Sequence, residues 1–203
     1  MVILKRLLTV FIGVYFIGLG IAIEIKGNLG INALTLFCEG LGKKINVSLG
    51  TASIMLLTII PLILFFIDKR RIGIGTFVNG IVTGFLIDFH SRLFSYFTVD
   101  SILIRFILML SGVIITGIGI GIYINAQLGE AGIDAIMVLL ADRLKTQIKY
   151  VRIVIDIVLV ILGFLMGGSL GISTFVSMVL YGVVIDKTLS AIHNIKTKSK
   201  VSV

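Results

Sequence analysis

The sequence predicts an all-α polytopic membrane protein with six transmembrane helices, arranged as two inverted three-helix repeats that each carry a short interfacial or re-entrant helix. Three observations predict this class: the composition, the placement of basic residues and an internal duplication. Of the 203 residues, 58% are hydrophobic and 14% are charged, whereas soluble domains carry about 25% charged residues. The composition therefore indicates one bundle of helices in lipid.

Six apolar segments with few charges are expected to span the membrane as helices, because barrel strands would be shorter and would alternate in polarity. The segments occupy residues 7–25, 49–67, 72–89, 102–124, 151–166 and 170–185. The first follows Lys5 and Arg6, and its length predicts a retained span rather than a cleaved signal peptide. Glu24, at the outer end of this span, is expected to reach the interface beside Lys26.

The basic residues predict how the spans are oriented. With the N-terminus in the cytoplasm, 13 of the 18 Lys and Arg residues lie on the inner side, as the positive-inside rule requires. The five on the outer side are Lys26, Lys43, Lys44, Arg92 and Arg105. Both termini are therefore expected in the cytoplasm. The basic tail at 191–203 is interpreted as a contact to anionic lipid rather than to nucleic acid.

Two further segments, 31–44 and 132–146, are helical in pattern but too short to cross the bilayer comfortably. In the second, apolar residues recur at helical spacing: Ile133, Ile136, Met137, Leu140 and Leu144. We expect both segments to be interfacial or re-entrant helices. Asn32 and Asp134 open these helices and are predicted to be their N-caps.

The chain also repeats itself, with residues about 6–92 matching residues about 105–190 in a single transmembrane domain. At an offset of about 99, the residues Arg6, Gly13, Gly18, Gly20, Gly30, Gly73, Thr76, Gly84 and Asp88 recur as Arg105, Gly112, Gly117, Gly119, Gly129, Gly171, Thr174, Gly182 and Asp186. Each copy holds three spans, an odd number, so the second copy must enter the membrane from the opposite side. This arrangement is an inverted-topology repeat, which is common in secondary transporters.

Polar residues share one face of the third span and of the matching sixth span. They are Thr76, Asn79 and Thr83 on the third span and Thr174, Ser177 and Tyr181 on the sixth. Polar groups inside a membrane face protein or water, because unsatisfied groups in lipid are costly. The two stripes are either a solute path between the helices or a set of interhelical hydrogen bonds.

Four charged residues are candidates for a coupling or gating role. Asp88 and Asp186 stand at helix C-termini, where the macrodipole disfavours an anion. Arg152 and Asp156 are one helical turn apart in the fifth span, and the first copy has serine and leucine at the equivalent positions. The alternative interpretations are an interfacial salt bridge for Asp88 and Asp186, and a local ion pair for Arg152 and Asp156.

The sequence contains no catalytic constellation. His90 and His193 lie apart without metal-ligand spacing, and no Ser-His-Asp order, paired-cysteine motif or phosphate-binding loop occurs. The single cysteine, Cys38, excludes an intrachain disulfide. We therefore expect no enzymatic activity, no cofactor and no metal.

The chain resembles the YczE/YyaS/YitT family of bacterial integral membrane proteins, and within it the YczE-like branch. The resemblance is carried by the stretches "RLLTVFIGVYFIGLGIAI", "NLGINAL", "RIGIGTFVNGIVTGFLIDF", "RFILMLSGVIITGIGIGI" and "GISTFVSMVLYGVVID", and it covers nearly the whole chain. The proline that family members usually carry after the first loop glycine is missing from both copies, beside Asn32 and Asp134. The resemblance implies a bacterial plasma membrane and leaves the substrate open.

Three functions are compatible with these observations. The leading hypothesis is a transporter of an unidentified small solute, with its site between the inverted repeats. The alternatives are a non-transporting membrane partner or regulatory protein, and the substrate-binding subunit of a modular uptake system. The expected partners are the lipid bilayer and the solute, with a second copy of the chain or another membrane protein left open, and no nucleic acid.

Overall fold

The computed structural model describes residues 2–201 and, within them, every side chain except those at positions 2, 148, 149, 196 and 198–201. The described residues form eight α-helices and no strand, which confirms the all-α prediction. The helices are α1 Val2–Gly27, α2 Ala33–Ile45, α3 Leu49–Ile67, α4 Ile74–Ser95, α5 Ile102–Asn125, α6 Gly132–Leu144, α7 Ile148–Leu165 and α8 Ile172–Val201. Residues 202 and 203 of the predicted tail lie outside the described residues.

Four helices of the described chain, α1, α3, α5 and α8, are long and apolar enough to cross a membrane. The six-span prediction is therefore supported for four of its segments. The predicted third span, α4, carries Asn79, Asp88, His90 and Arg92, and the predicted fifth span, α7, is short and carries charged residues. The charged residues of α7 and the polar residues of α4 distinguish these two helices from the four long apolar ones.

The polarity of the described residues is arranged for a lipid solvent. Large apolar side chains cover the outside of the bundle, such as Phe66 at 88% exposure and Val179 at 70%. Polar side chains lie inside, among them Glu24, Thr83 and Ser177. Hydrocarbon cannot hydrogen-bond a polar group, so such groups turn toward the protein interior.

The centre of the bundle is the crossing of α1 and α5, which glycines on both helices make possible. A Cβ atom on Gly13 would lie 2.9 Å from the carbonyl oxygen of Gly119, and one on Gly112 would lie 2.7 Å from that of Gly20. No side chain fits at these distances, so the two backbones are in direct contact, as in other small-residue crossings.

Most of the remaining helix contacts occur in equivalent pairs, in which each helix of the first half corresponds to one helix of the second half. The contact of α1 with α4 is matched by that of α5 with α8, and α2 packs on α7 as α6 packs on α3. Each short helix therefore packs against the opposite half of the chain. One pair breaks the pattern, because α3 packs closely on α4 whereas α7 and α8 form no comparable interface.

Three predicted boundaries change in the structure. The helix α4 continues to Ser95, so Asp88 lies within a helix and not at its predicted C-terminus, and Asp186 likewise lies within α8. The sixth predicted span and the start of the basic tail form one continuous helix, because α8 runs from Ile172 to Val201 without interruption. The short helix α6 begins at Gly132, so its N-cap is Ala131 and not the predicted Asp134. Asp134 lies in the first turn of α6 instead.

Candidate functional site

A cavity of about 890 Å³ lies between the two halves of the bundle. Its walls come from α1 and α2, from α3 and α4, and from the four helices of the second half. Arg70, Arg71 and Gln127 belong to the loops after α3 and α5, and they line one end of the cavity. The cavity therefore reaches the end of the bundle that the charge pattern places in the cytoplasm.

Four of the six predicted stripe residues line this cavity: Asn79, Thr83, Ser177 and Tyr181. The Thr83 hydroxyl donates a hydrogen bond of 3.0 Å to the Asn79 side-chain oxygen, and the Ser177 hydroxyl donates one of 3.0 Å to a carbonyl of its own helix. The stripes thus include both hydrogen bonds within a helix and groups that face open space.

The other two stripe residues, Thr76 and Thr174, hold the loops that precede the short helices. The Thr76 hydroxyl donates to the carbonyl of Glu130 at 2.7 Å, and the Thr174 hydroxyl donates to the carbonyl of Ile31 at 2.7 Å. Neither residue lines the cavity. Equivalent threonines in the two halves therefore make equivalent contacts, each to the linker of the opposite half.

Charged residues meet on one wall of the cavity. Arg152 Nε lies 3.8 Å from the Asp156 carboxylate, and both side chains line the cavity. Asp134 lines the same space and is close enough to interact electrostatically with Arg152 and Asp156. The fold brings α6 beside α7, which places a carboxylate from a separate helix next to the predicted ion pair.

A second polar cluster is buried behind Asn32, and its central residue was not predicted from the sequence. Glu24 is fully buried, accepts a hydrogen bond from Ser173 and lies 3.3 Å from the Asn32 amide nitrogen. The expectation that Glu24 reaches the interface beside Lys26 is therefore wrong. Glu24 matches Tyr123 in the repeat, which is also a buried polar residue inside an apolar helix.

Asn32 joins this cluster to the cavity. Its side-chain oxygen accepts hydrogen bonds from the Thr35 backbone nitrogen at 3.1 Å and from the Thr35 hydroxyl at 3.0 Å, so Asn32 is the N-cap of α2. Asn32 also lines the cavity. The N-terminus of α2 therefore points toward the open space, as does the first turn of α6 with Asp134.

The two aspartates at matching helix positions lie outside the cavity. Asp88 accepts hydrogen bonds from the Gly50 backbone nitrogen at 2.9 Å and from the Ser48 hydroxyl. It thereby binds the N-terminus of α3, where the helix dipole favours an anion. Asp186 is exposed on α8. The structure brings neither aspartate together with Arg152 and Asp156.

Each short helix is tied to a loop of the opposite half. At the end predicted to face outward, Glu39 of α2 accepts hydrogen bonds from the Ser169 backbone nitrogen at 2.7 Å and from its hydroxyl at 2.9 Å. Lys43 donates to the carbonyl of Gly167 at 2.8 Å and pairs with Glu39 at 2.8 Å. We call these contacts the outer tie.

Arg71 is the centre of the matching contacts at the other end, which we call the inner tie. It forms ion pairs with Asp68, Glu130 and Asp142. Burial alone would lower the pKa of the Arg71 guanidinium, but the three carboxylates around it raise that pKa above its usual value. Burial raises the pKa of Glu130, and Arg71 offsets part of that shift.

The described residues contain no group of three or more His, Cys, Asp and Glu side chains placed to hold a metal ion. Apart from the inner tie and Arg70 next to it, the described side chains of the lining offer hydroxyls, amides, one thiol, two carboxylates and one guanidinium on an apolar wall. Such a surface can bind and orient a small molecule. The fold and this cavity together define a helical membrane protein with an internal cavity.

The chain belongs to the family of unknown function named DUF6198, whose model matches residues 4–189. It is 26% identical over 181 residues to the uncharacterized membrane protein YczE of Bacillus subtilis, covering 88% of this chain and 83% of that one. It is 23% identical over 175 residues to the uncharacterized protein YyaS of Bacillus subtilis, covering 86% of this chain and 87% of that one.

A third relative, an uncharacterized protein of Haemophilus influenzae, is 27% identical over 176 residues, which cover 87% of this chain and 79% of that one. The resemblance to the YczE and YyaS proteins is thereby confirmed, as is the assignment to membrane proteins. No solved structure matches this chain.

Proposed function

We propose that this protein transports a small solute across the bacterial plasma membrane, and that the cavity between the two halves is the solute site. The observation that carries this proposal is the cavity itself: about 890 Å³ in volume, lined by both halves of a duplicated chain, and polar in the middle of an apolar bundle. Ligand pockets have volumes of about 300–1,000 Å³. A membrane protein with a purely structural duplication has no need of such a space.

The proposal includes the inverted six-span arrangement and N- and C-termini in the cytoplasm. The exchange of contacts between the halves supports it, because each short helix packs on the opposite half. Transporters of this design place their sites where such half-length helices meet near the bilayer midplane. Here the N-termini of α2 and α6 both approach the cavity. The proposal assigns no enzymatic step to the cavity.

The outer and inner ties supply the two barriers that alternating access requires. The outer tie joins α2 to the loop before α8, and the inner tie joins α6 to the loop before α4. The cavity reaches the inner tie, since Arg71 and Glu130 line it, whereas Ser169 of the outer tie does not. In this conformation the cavity extends as far as the inner tie, and the proposal is that the solute exchanges with the cytoplasm when that tie opens.

Cysteine labelling tests the proposal. In a Cys38→Ala background, Met178→Cys places a thiol in the cavity, and the control Val179→Cys places one on the exposed apolar face of the same helix. A membrane-impermeant thiosulfonate reagent should label the cavity thiol in vesicles of both orientations, faster from the cytoplasmic side. It should leave the control thiol unlabelled, because lipid excludes the reagent.

Equal labelling of the cavity thiol and the control thiol would contradict an aqueous cavity between the halves. Labelling of the cavity thiol from one side alone, under all solute conditions, would contradict alternating access and favour a binding subunit. The orientation is tested separately by a reporter fused after residue 203, which should be active only in the cytoplasm. Periplasmic activity of that reporter would reverse the proposed topology.

A further inference from the structure

The deep part of the cavity carries more negative than positive charge. Apart from the inner tie and Arg70 next to it, the described charged side chains that line the cavity are the carboxylates Asp134 and Asp156 and the cation Arg152. Asp156 is already paired with Arg152 at 3.8 Å. Asp134 makes no hydrogen bond and has no basic nitrogen within 4.0 Å among the described side chains, although Arg152 lies near enough to attract it.

An ionised carboxylate in a membrane interior is costly unless a cation or a hydrogen-bond donor compensates it. The walls around Asp134 are largely apolar and include Ile133 and Met137 from its own helix and Leu57 from α3. The described residues thus leave the compensation of Asp134 incomplete. A positive charge brought in by a ligand would complete it.

The same cavity disfavours an anionic ligand, because oxygen atoms of the protein lie at both helix N-termini that face it. Half-length helices in transporters commonly bind an anionic group at their N-termini. Here the N-terminus of α2 is capped by Asn32, with Glu24 directly behind it at 3.3 Å. The first turn of α6 holds Asp134. The protein's own oxygen atoms thus occupy the places that an anionic ligand would take.

Two buried hydroxyls without partners point independently to a ligand that forms hydrogen bonds. Tyr181 is 7% exposed and Thr116 is 2% exposed, both line the cavity, and neither side-chain oxygen has a hydrogen-bond partner of normal geometry. Tyr181 lies beside Thr116 and Asn32 but completes no bond to either. Hydroxyl oxygens accept hydrogen bonds from N–H groups. The rings of Tyr123 and Tyr181 also offer the aromatic surface that cations favour.

We infer that the solute is an organic monocation, an ammonium or guanidinium group on an apolar body, with the carboxylate of Asp134 as its counter-ion. The inference deepens the proposed transport function and rests on it. The charged group of the solute lies between Asp134 and the hydroxyls of Tyr181 and Thr116. Its apolar part lies on the walls formed by Leu57, Ile133 and other aliphatic side chains.

The test uses purified full-length protein and probes that differ in charge but not in shape. Tetraphenylphosphonium and tetraphenylborate are a bulky pair of this kind. Protonated 2-phenylethylamine, 2-phenylethanol and 3-phenylpropanoate are a slender series, in which the same phenylethyl group carries a cation, a neutral hydroxyl or an anion. The cations should raise the thermal midpoint and bind at least tenfold more tightly than the matched neutral and anionic probes, as measured by thermal unfolding and calorimetry.

Variants then assign the charge to a residue. Asp134→Asn should weaken binding of the cationic probes at least tenfold, and Asp134→Glu should retain most of it because the charge is kept. The control Asp186→Asn removes a carboxylate outside the cavity and should bind like the wild type. If Asp134→Asn does not fold, the affinities of the wild-type protein for the cationic, neutral and anionic probes still decide whether the cavity prefers a cation.

Tighter binding of the anionic or neutral probes, or no binding of any cation, would overturn the cation assignment. Equal affinity of wild type and Asp134→Asn would overturn the role of Asp134. The transport proposal has its own readout in the labelling of the Met178→Cys variant. Cation binding without labelling from both sides supports the ligand class and contradicts transport, and the two failures are therefore distinguishable.

Discussion

The interface between α3 and α4 is closely packed in the first half of the molecule, whereas the equivalent interface between α7 and α8 is open in the second half. In the first half α3 and α4 are in backbone contact: a Cβ atom on Gly84 would lie 2.3 Å from the carbonyl oxygen of Gly50, and one on Gly80 would lie 2.5 Å from that of Leu57. In the second half Gly182, the match of Gly84, has no atom within 4 Å of a Cβ position. A glycine that recurs in register between the repeats thus packs in one copy and not in the other.

Three neighbouring substitutions account for the difference. Gly80 is matched by Met178, whose side chain keeps the helices apart and lines the cavity. Leu57 is matched by Asp156. Ser53, one helical turn before Leu57, is matched by Arg152, which is the ion-pair partner of Asp156. A charged pair needs water or polar neighbours, so it does not fit into a close backbone contact like that of α3 and α4. We call that contact the first seam, and the matching open interface of α7 and α8 the second seam. One packing unit therefore becomes a binding wall when its small and apolar residues are replaced by long and charged ones.

Leu57→Asp should have the largest effect, because it places the second half's carboxylate in the first half's seam. Leu57 is buried, and a charge at the centre of a membrane helix costs about 2.5–3.5 kcal/mol on insertion scales. We expect loss of folded protein in membranes and in detergent, measured by fluorescence-detected size exclusion.

The reverse substitution, Asp156→Leu, is the matched control. It should change the free energy of unfolding by less than about 1 kcal/mol, because ion pairs with an exposed partner contribute little, and Arg152 is 36% exposed and still has Asp134 nearby. If Leu57→Asp and Asp156→Leu destabilise the protein equally, the two interfaces accept polar and apolar residues equally well, and the comparison fails.

Gly84→Leu should be the next most damaging change, since the new side chain would collide with the backbone of α3. Overpacking of this kind costs about 1–3 kcal/mol, which should appear as a lower thermal midpoint in detergent. Gly182→Leu makes the same chemical change at the matching position, where space is open. A thermal midpoint for Gly182→Leu within error of the wild type, beside a clear drop for Gly84→Leu, is the expected pattern, and a drop in both would refute an open second seam.

Asp88→Asn should destabilise the protein by about 1–2 kcal/mol, because Asp88 accepts hydrogen bonds from Gly50 and Ser48 at the start of α3. Asp186→Asn should stay within about 0.5 kcal/mol of the wild type, since Asp186 is exposed. Chemical unfolding in mixed micelles measures both. A loss as large in Asp186→Asn would mean that this residue has a structural partner.

The smallest effects on stability are expected at the two ties. Glu39→Gln and Asp142→Asn each weaken contacts that are partly exposed, and such ion pairs are worth about 0–1 kcal/mol. Their effect should instead appear in the labelling rate of the Met178→Cys thiol, which Glu39→Gln should raise from the outer side and Asp142→Asn from the inner side. Identical labelling profiles in the two variants would show that the ties do not act as separate barriers.

The helical membrane class and the two short helices were predictable from the sequence alone, whereas the inverted arrangement of the two repeats stays a prediction. Composition and length require helices in lipid, and the glycines in register mark where α1 and α5 touch. Asn79, Thr83, Ser177 and Tyr181 could be identified as inward-facing from their spacing alone, because a polar stripe on an apolar helix has one stable direction.

Which polar residues meet depends on tertiary packing instead. Nothing in the local sequence separates Glu24 from an interfacial glutamate, because its partners Asn32 and Ser173 come from outside its own helix. From the sequence alone Asp134 is typical of an N-cap. The structure shows instead that Ala131 is the N-cap of α6 and that α7 lies beside Asp134. The difference between the α3–α4 and α7–α8 interfaces likewise depends on tertiary contacts. Helix periodicity predicts on which face of a helix a residue lies, but only the packing of the helices determines which residues that face contacts.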